Sequence, residues 1–81
     1  MQRLAGVPQA PSRPFPDLTD RELEVLDRIA AGQSNAVIAA GLGLAPKTVG
    51  NHISAVFAKL RLASRAEAIV VAREQGLGGA R

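Results

Sequence analysis

Eighty-one residues with 47% hydrophobic content can bury one small core and no more. Cysteine is absent and His52 is the single histidine, which excludes a disulfide framework and a thiolate metal centre, while two aromatics, Phe15 and Phe57, are too few for the base-stacking platforms of single-strand and RNA binders. The net charge of +3 is unevenly spread: residues 1–46 carry four cations and five carboxylates, residues 47–81 carry six and two, and residues 47–65 hold four cations with no carboxylate. That distribution fits either a polyanion-binding surface or a plain solvated basic face.

In chain order, residues 1–17 read as a flexible tail or linker, because Pro8, Pro11, Pro14 and Pro16, with Gly6 and Ser12, favour an extended path. An upstream domain would join there. No run of eighteen apolar residues occurs and the N-terminus lacks a signal-peptide core, so the expectation is a cytoplasmic protein with no membrane contact. Thr19-Asp20-Arg21-Glu22 is a capping box, and Leu18 with Leu23 has the spacing of a hydrophobic staple. Leu23, Leu26, Ile29 and Ala30, with Val25 alongside, then form an apolar stripe that Gly32 terminates, giving a first helix over about 20–31.

Ser34 is the N-cap of a second helix over about 34–41, in which Val37, Ile38 and an Ala-rich stretch lead to Gly41. Gly41 or Gly43 can adopt the positive φ of a sharp turn, with Leu42 and Leu44 plugging the core beneath it. Pro46 suits the first position of a third helix over about 46–61, although Ala45 is a poor N-cap, costing about 1 kcal/mol against Ser or Thr. At about 100° per residue, Val49, Ile53, Val56, Phe57 and Leu60 share one face of that helix, while Lys47, Asn51, Ser54 and Ala58 lie opposite. Thr48, His52, Ala55 and Lys59 form a stripe beside them. A helix with a narrow apolar anchor and short polar side chains outward, entered through a tight turn, has what a major-groove reader needs.

Ser64-Arg65-Ala66-Glu67 is another capping box and Gly76-Leu77 a C-terminal stop, so a fourth helix covers about 65–75. In it Ala66, Ile69 and Ala72 are expected to face the domain, leaving Val70 and Val71 beside Glu67 and Glu74 as a candidate dimerisation patch, with scattered surface valines as the plain alternative. Residues 78–81 remain as a short tail. The fold class is therefore all-α, a compact four-helix domain containing a helix-turn-helix. No nucleophile–base pair, carboxylate pair or phosphate-cradling glycine loop stands out, so neither an enzyme nor a cofactor nor a metal is expected. Asp17 and Asp20 are explained by capping and the helix dipole.

Four linked segments carry a family resemblance: Leu18-Thr19-x-Arg21-Glu22, Gly32-x-Ser34-Asn35-x-x-Ile38-Ala39, Leu44-x-x-Lys47-Thr48-Val49-x-Asn51-His52, and Lys59-Leu60-x-x-x-Ser64-Arg65-Ala66-Glu67-Ala68. At this spacing, residues 18–77 resemble the LuxR/FixJ/GerE-type helix-turn-helix domain, the effector half of response regulators and related transcription factors. The resemblance implies a sequence-specific regulator that binds double-stranded DNA, with helix 2 as scaffold, helix 3 in the major groove and helix 4 supporting a weak homodimer. RNA polymerase or an upstream regulatory domain are the further partners it suggests.

Carried across by position, the resemblance puts base-edge contacts at Gly50, Asn51 and Ser54 and phosphate contacts around Lys47 and Thr48. Asn can pair with adenine and Ser with several bases, so that readout is chemically available. His52 and Lys59 are flanking candidates for backbone contact, with packing an equal reading for His52. Two departures stand out: Gly50 replaces a residue that is often long in the family, and Ala36 and Val37 replace a polar pair. They leave open a protein-interaction module with weakened DNA affinity. A sigma-factor-like promoter-binding domain is a further alternative, against which the Lys47-Thr48-Val49-x-Asn51-His52 run argues.

Overall fold

The computed structural model describes residues 13–79. They form four helices and no strand: α1 (Asp20–Ala30), α2 (Asn35–Leu42), α3 (Pro46–Leu60) and α4 (Arg65–Glu74). This is the all-α arrangement expected, with helix limits within about two residues, the usual latitude of helix ends.

The helix starts follow from side-chain capping chemistry. The Glu22 amide donates to Thr19 Oγ1 at 3.1 Å and the Thr19 amide donates to Glu22 Oε1 at 2.9 Å, completing the capping box of α1. Ser34 and Ser64 accept from the Val37 and Glu67 amides at 3.2 and 3.1 Å. The second box reaches one residue further back than expected, since Glu67 Oε1 accepts from the Ala63 amide at 2.6 Å. Only α3 lacks a side-chain cap: Ala45 offers none, and Pro46 opens the helix.

All four helices end with the same backward bond, from Gln33 to Arg28, Leu44 to Ala39, Leu62 to Phe57 and Leu77 to Ala72, at 2.9–3.1 Å. Between α2 and α3 the left-handed residue is Gly43, with φ +67°. Gly41 stays helical, and a Cβ there would stand 2.7 Å from Arg28 Nη1. Arg61 fills the equivalent position after α3 with φ +55°, a conformation that costs an L residue roughly 1 kcal/mol or more.

Helix α1 lies at the centre and packs against the other three. Its apolar face splits into two edges. Leu26 and Ala30 join Leu18, Val56, Ala68 and Ala72 in one buried cluster, while Val25 and Ile29 join Ile38, Ala39 and Val49 in the other. Helix α3 belongs to both, through Val56 and Val49, and each of these buried valines is worth about 1.5–3 kcal/mol. Leu42 and Leu44 pack beneath the turn, as expected.

Helix α4 corrects the sequence reading. Ala68 and Ala72 are its buried residues, Ile69 is half-buried and Ala66 is exposed. Its rotation is fixed by polar contacts: Arg65 donates to Asn35 Oδ1 and to the Gln33 carbonyl, both at 2.7 Å, and Arg73 Nε donates to the Ala30 carbonyl at 2.8 Å. The stretch read as a tail also contributes, because Phe15 packs against the first cluster and Arg13 pairs with Asp20. Of the linker reading, residues 1–12 lie outside the described residues. At the other end the Gly78 amide donates to Asp27 Oδ1 at 2.8 Å. With φ +65° and the Ala30 backbone where a Cβ would stand, that position requires glycine.

Candidate nucleic-acid interface

The outward face of α3 is set by what anchors its inward face. Val49 is fully buried against α1 and α2, and Val56 is fully buried beside α1 and α4, which sets the face that the helix turns inward. Lys47, Asn51, Ser54 and Ala58 are consequently exposed, Thr48, Gly50, His52 and Ala55 are half-buried, and Ile53, Phe57 and Leu60 lie partly covered. Among the described residues, Lys47, Thr48, Asn51, His52 and Ser54 make no side-chain hydrogen bond or ion pair. Because Ala45 has no side-chain acceptor, the amides of Lys47 and Thr48 in the first turn are also uncapped. A positively charged side chain, two free amides and the positive end of a helix dipole therefore meet at one end of this face, a combination suited to an anion.

Lys59, exposed on the flanking stripe, has another engagement. Its Nζ lies 2.7 Å from Oε1 of Glu22, the buried polar residue at the start of α1. The Lys59 hydrogen bond, followed by the Thr19 amide, holds the Glu22 carboxyl below its ordinary pKa. The charge of Lys59 is thus answered within the domain. On α4, Glu67, Val70 and Glu74 are exposed, whereas Val71, expected beside Val70 at the surface, is half-buried.

The family model for bacterial regulatory proteins of the luxR family, GerE, matches residues 16–72. The chain belongs to that family. It is 45% identical over 75 residues to the "Probable transcriptional regulatory protein NarL" of Mycobacterium tuberculosis, covering 91% of this chain and 35% of that protein. It is 44% identical over 59 residues to the transcriptional regulatory protein DesR of Bacillus subtilis, covering 73% and 30%. With the response regulator protein VraR of Staphylococcus aureus the identity is 40% over 60 residues, covering 74% and 29%. The chain therefore spans about a third of the length of these relatives. No solved structure matches it.

As a LuxR-type DNA-binding domain of a transcriptional regulator, the chain concentrates six of its cations after residue 46. They are not equivalent. Lys59 is paired with a carboxylate, while Arg65 and Arg73 donate to neutral oxygens and keep their charge while losing freedom. Lys47 stays exposed and unengaged among the described residues. The Arg65 and Lys59 contacts bridge 30 and 37 residues of sequence, so no local pattern announces them. For Lys59 the one available hint was Glu22 itself, a carboxylate on the apolar side of α1. No helix of the described residues is long and apolar enough to cross a membrane.

Proposed function

We propose that this chain binds double-stranded DNA sequence-specifically by laying α3 in the major groove. The observation that carries the reading is the unengaged outward face of α3, immobilised by Val49 and Val56 and bearing Lys47, Asn51 and Ser54 in the open. In this arrangement Lys47, Thr48 and the uncapped first turn meet phosphates, and Gly50, Asn51 and Ser54 meet base edges. His52 supports from the flank, while Lys59 serves mainly to pin α3 onto α1. Two copies pair weakly through the exposed face of α4, with Val70 central, Val71 at its margin and Glu67 and Glu74 at its rim. A regulatory domain joined upstream and RNA polymerase are the partners this reading implies in a complete regulator.

The test is selection of bound duplexes from a random pool, followed by titration of the selected and scrambled sequences at one salt concentration. A short motif in two-fold-related halves, bound at least tenfold more tightly than its scramble, is the expected result. A pool that stays random, with salt-sensitive binding of equal strength to every duplex, contradicts sequence reading. No binding at all would return the chain to the class of interaction modules.

A further inference from the structure

Arg65 opens α4 at a position that the helix itself disfavours, since a cation in the first turn stands at the positive end of the helix dipole. Its reason lies elsewhere in the fold. The half-buried guanidinium reaches the start of α2, Nη1 donating to Asn35 Oδ1 and Nη2 to the Gln33 carbonyl, both at 2.7 Å, so its planar fork is held by two acceptors at once. Apolar packing seats α4 chiefly on α1, while α2 and α3 pack on one another and on α1. Among the described residues, the contact between Arg65 and Asn35 is the hydrogen bond that joins α4 to α2.

We propose that Arg65 is a positioning residue that fixes the angle between the pairing helix α4 and the reading pair α2 and α3, and with it the spacing of the two half-sites that a pair of chains can occupy. The inference rests on the DNA reading and the pairing through α4 proposed above. One chain presents α3 without this contact, because Val49 and Val56 already set the inward face of that helix. Two chains raise a further demand. Paired through α4, they are related by a two-fold axis, so any rotation of the reading pair against α4 in one chain is repeated in the other and the misplacement between half-sites doubles. The duplex tolerates little of it: one base pair more or less shifts a half-site by about 3.4 Å and turns it by about 35° around the axis. Apolar burial is non-directional, and Ala68 and Ala72, the buried residues of α4, have short side chains that resist rotation poorly. The two Arg65 bonds are directional and supply that resistance at the end of α4 nearest α2.

The experiment titrates the parent chain, Arg65→Met and Asn35→Ala on duplexes carrying one selected half-site, or two with the spacing varied a base pair at a time, and records helicity and melting by circular dichroism. The parent is expected to bind one spacing about tenfold or more tightly than its neighbours. Arg65→Met, which removes both donors and keeps an unbranched stem, should bind that spacing and its neighbours within about threefold of one another, yet hold the single half-site within about twofold of the parent. Asn35→Ala, which spares the Gln33 bond, should keep the optimum and lose part of its margin. A purely structural role would lower the melt and leave the ratio between spacings alone, so a parent-like ratio in Arg65→Met overturns the inference, as does an equal loss on the single half-site. Should Arg65→Met lose its helicity, Asn35→Ala decides by the same ratio. If the parent reads the single half-site but prefers no spacing, the inference and pairing through α4 fall while DNA reading stands. If the parent does not distinguish the half-site from its scramble, all three fall.

Discussion

Glu22 does three things with one carboxylate: it closes the α1 capping box, accepts the Lys59 ammonium and does so while buried. Its folded pKa is lowered, so its contribution is present above the ordinary glutamate pKa and is lost as pH falls through the depressed folded value. Stability is therefore expected to hold near neutrality and to drop in the acid range below about pH 4.3. In Lys59→Met the chief cause of the lowering is gone, so the folded value moves back toward the unfolded one and the loss of stability on acidification should shrink. Lys59 is 38% exposed, so the neutral-pH cost should be only about 1–2 kcal/mol. Urea melts at several pH values measure both quantities, and a variant that loses as much stability on acidification as the parent would remove the pair from the account. Lys47 has no such engagement, and Lys47→Ala should weaken specific and random duplexes by similar factors. The slope of log affinity against log salt should flatten by about one, and an unchanged slope would mean that Lys47 neutralises no phosphate. The capping role of Glu22 was legible because it is local. The commitment of Lys59 was not, since a contact across 37 residues leaves no periodic trace.

At the scale of elements, α1 and α3 were readable because each has a single dominant apolar face. Helix α4 does not: six of its ten residues are apolar, so helical periodicity alone admits more than one inward face. The choice is made by Arg65 and Arg73, whose bonds to the first three-helix assembly turn Ala68 and Ala72 inward against α1. Small side chains at both positions let the two helices approach closely. The same rotation makes Val70, 56% exposed, the apolar centre of the outer face in place of a Val70–Val71 pair. Val70→Glu would bring a carboxylate beside Glu67 and Glu74 and, across a two-fold axis, near those of the partner. In sedimentation experiments with a two-half-site duplex, the variant should load one chain where the parent loads two, with unchanged helicity. Cooperative loading of two variant chains would place the interface elsewhere.

For the whole molecule, the organisation turns on α3 bridging both buried clusters, so that one rigid helix is held at each end and offers its remaining face outward. Fold and presented face follow from caps, turn glycines and a 3.6-residue period, all of which are local signals. The contacts that lock the helices to one another are long-range and emerge only in three dimensions. The most direct measurement of the central claim is the affinity of Asn51→Ala for the selected duplex and for random duplex at fixed salt. Asn51 is exposed and unengaged, so its loss should leave the fold and its melting intact. Direct reading predicts a loss of about 1–3 kcal/mol on the selected duplex, much less on random DNA, and relaxed preference at one position per half-site. Equal losses on both duplexes, or none on either, would contradict the claim that this face of α3 reads sequence.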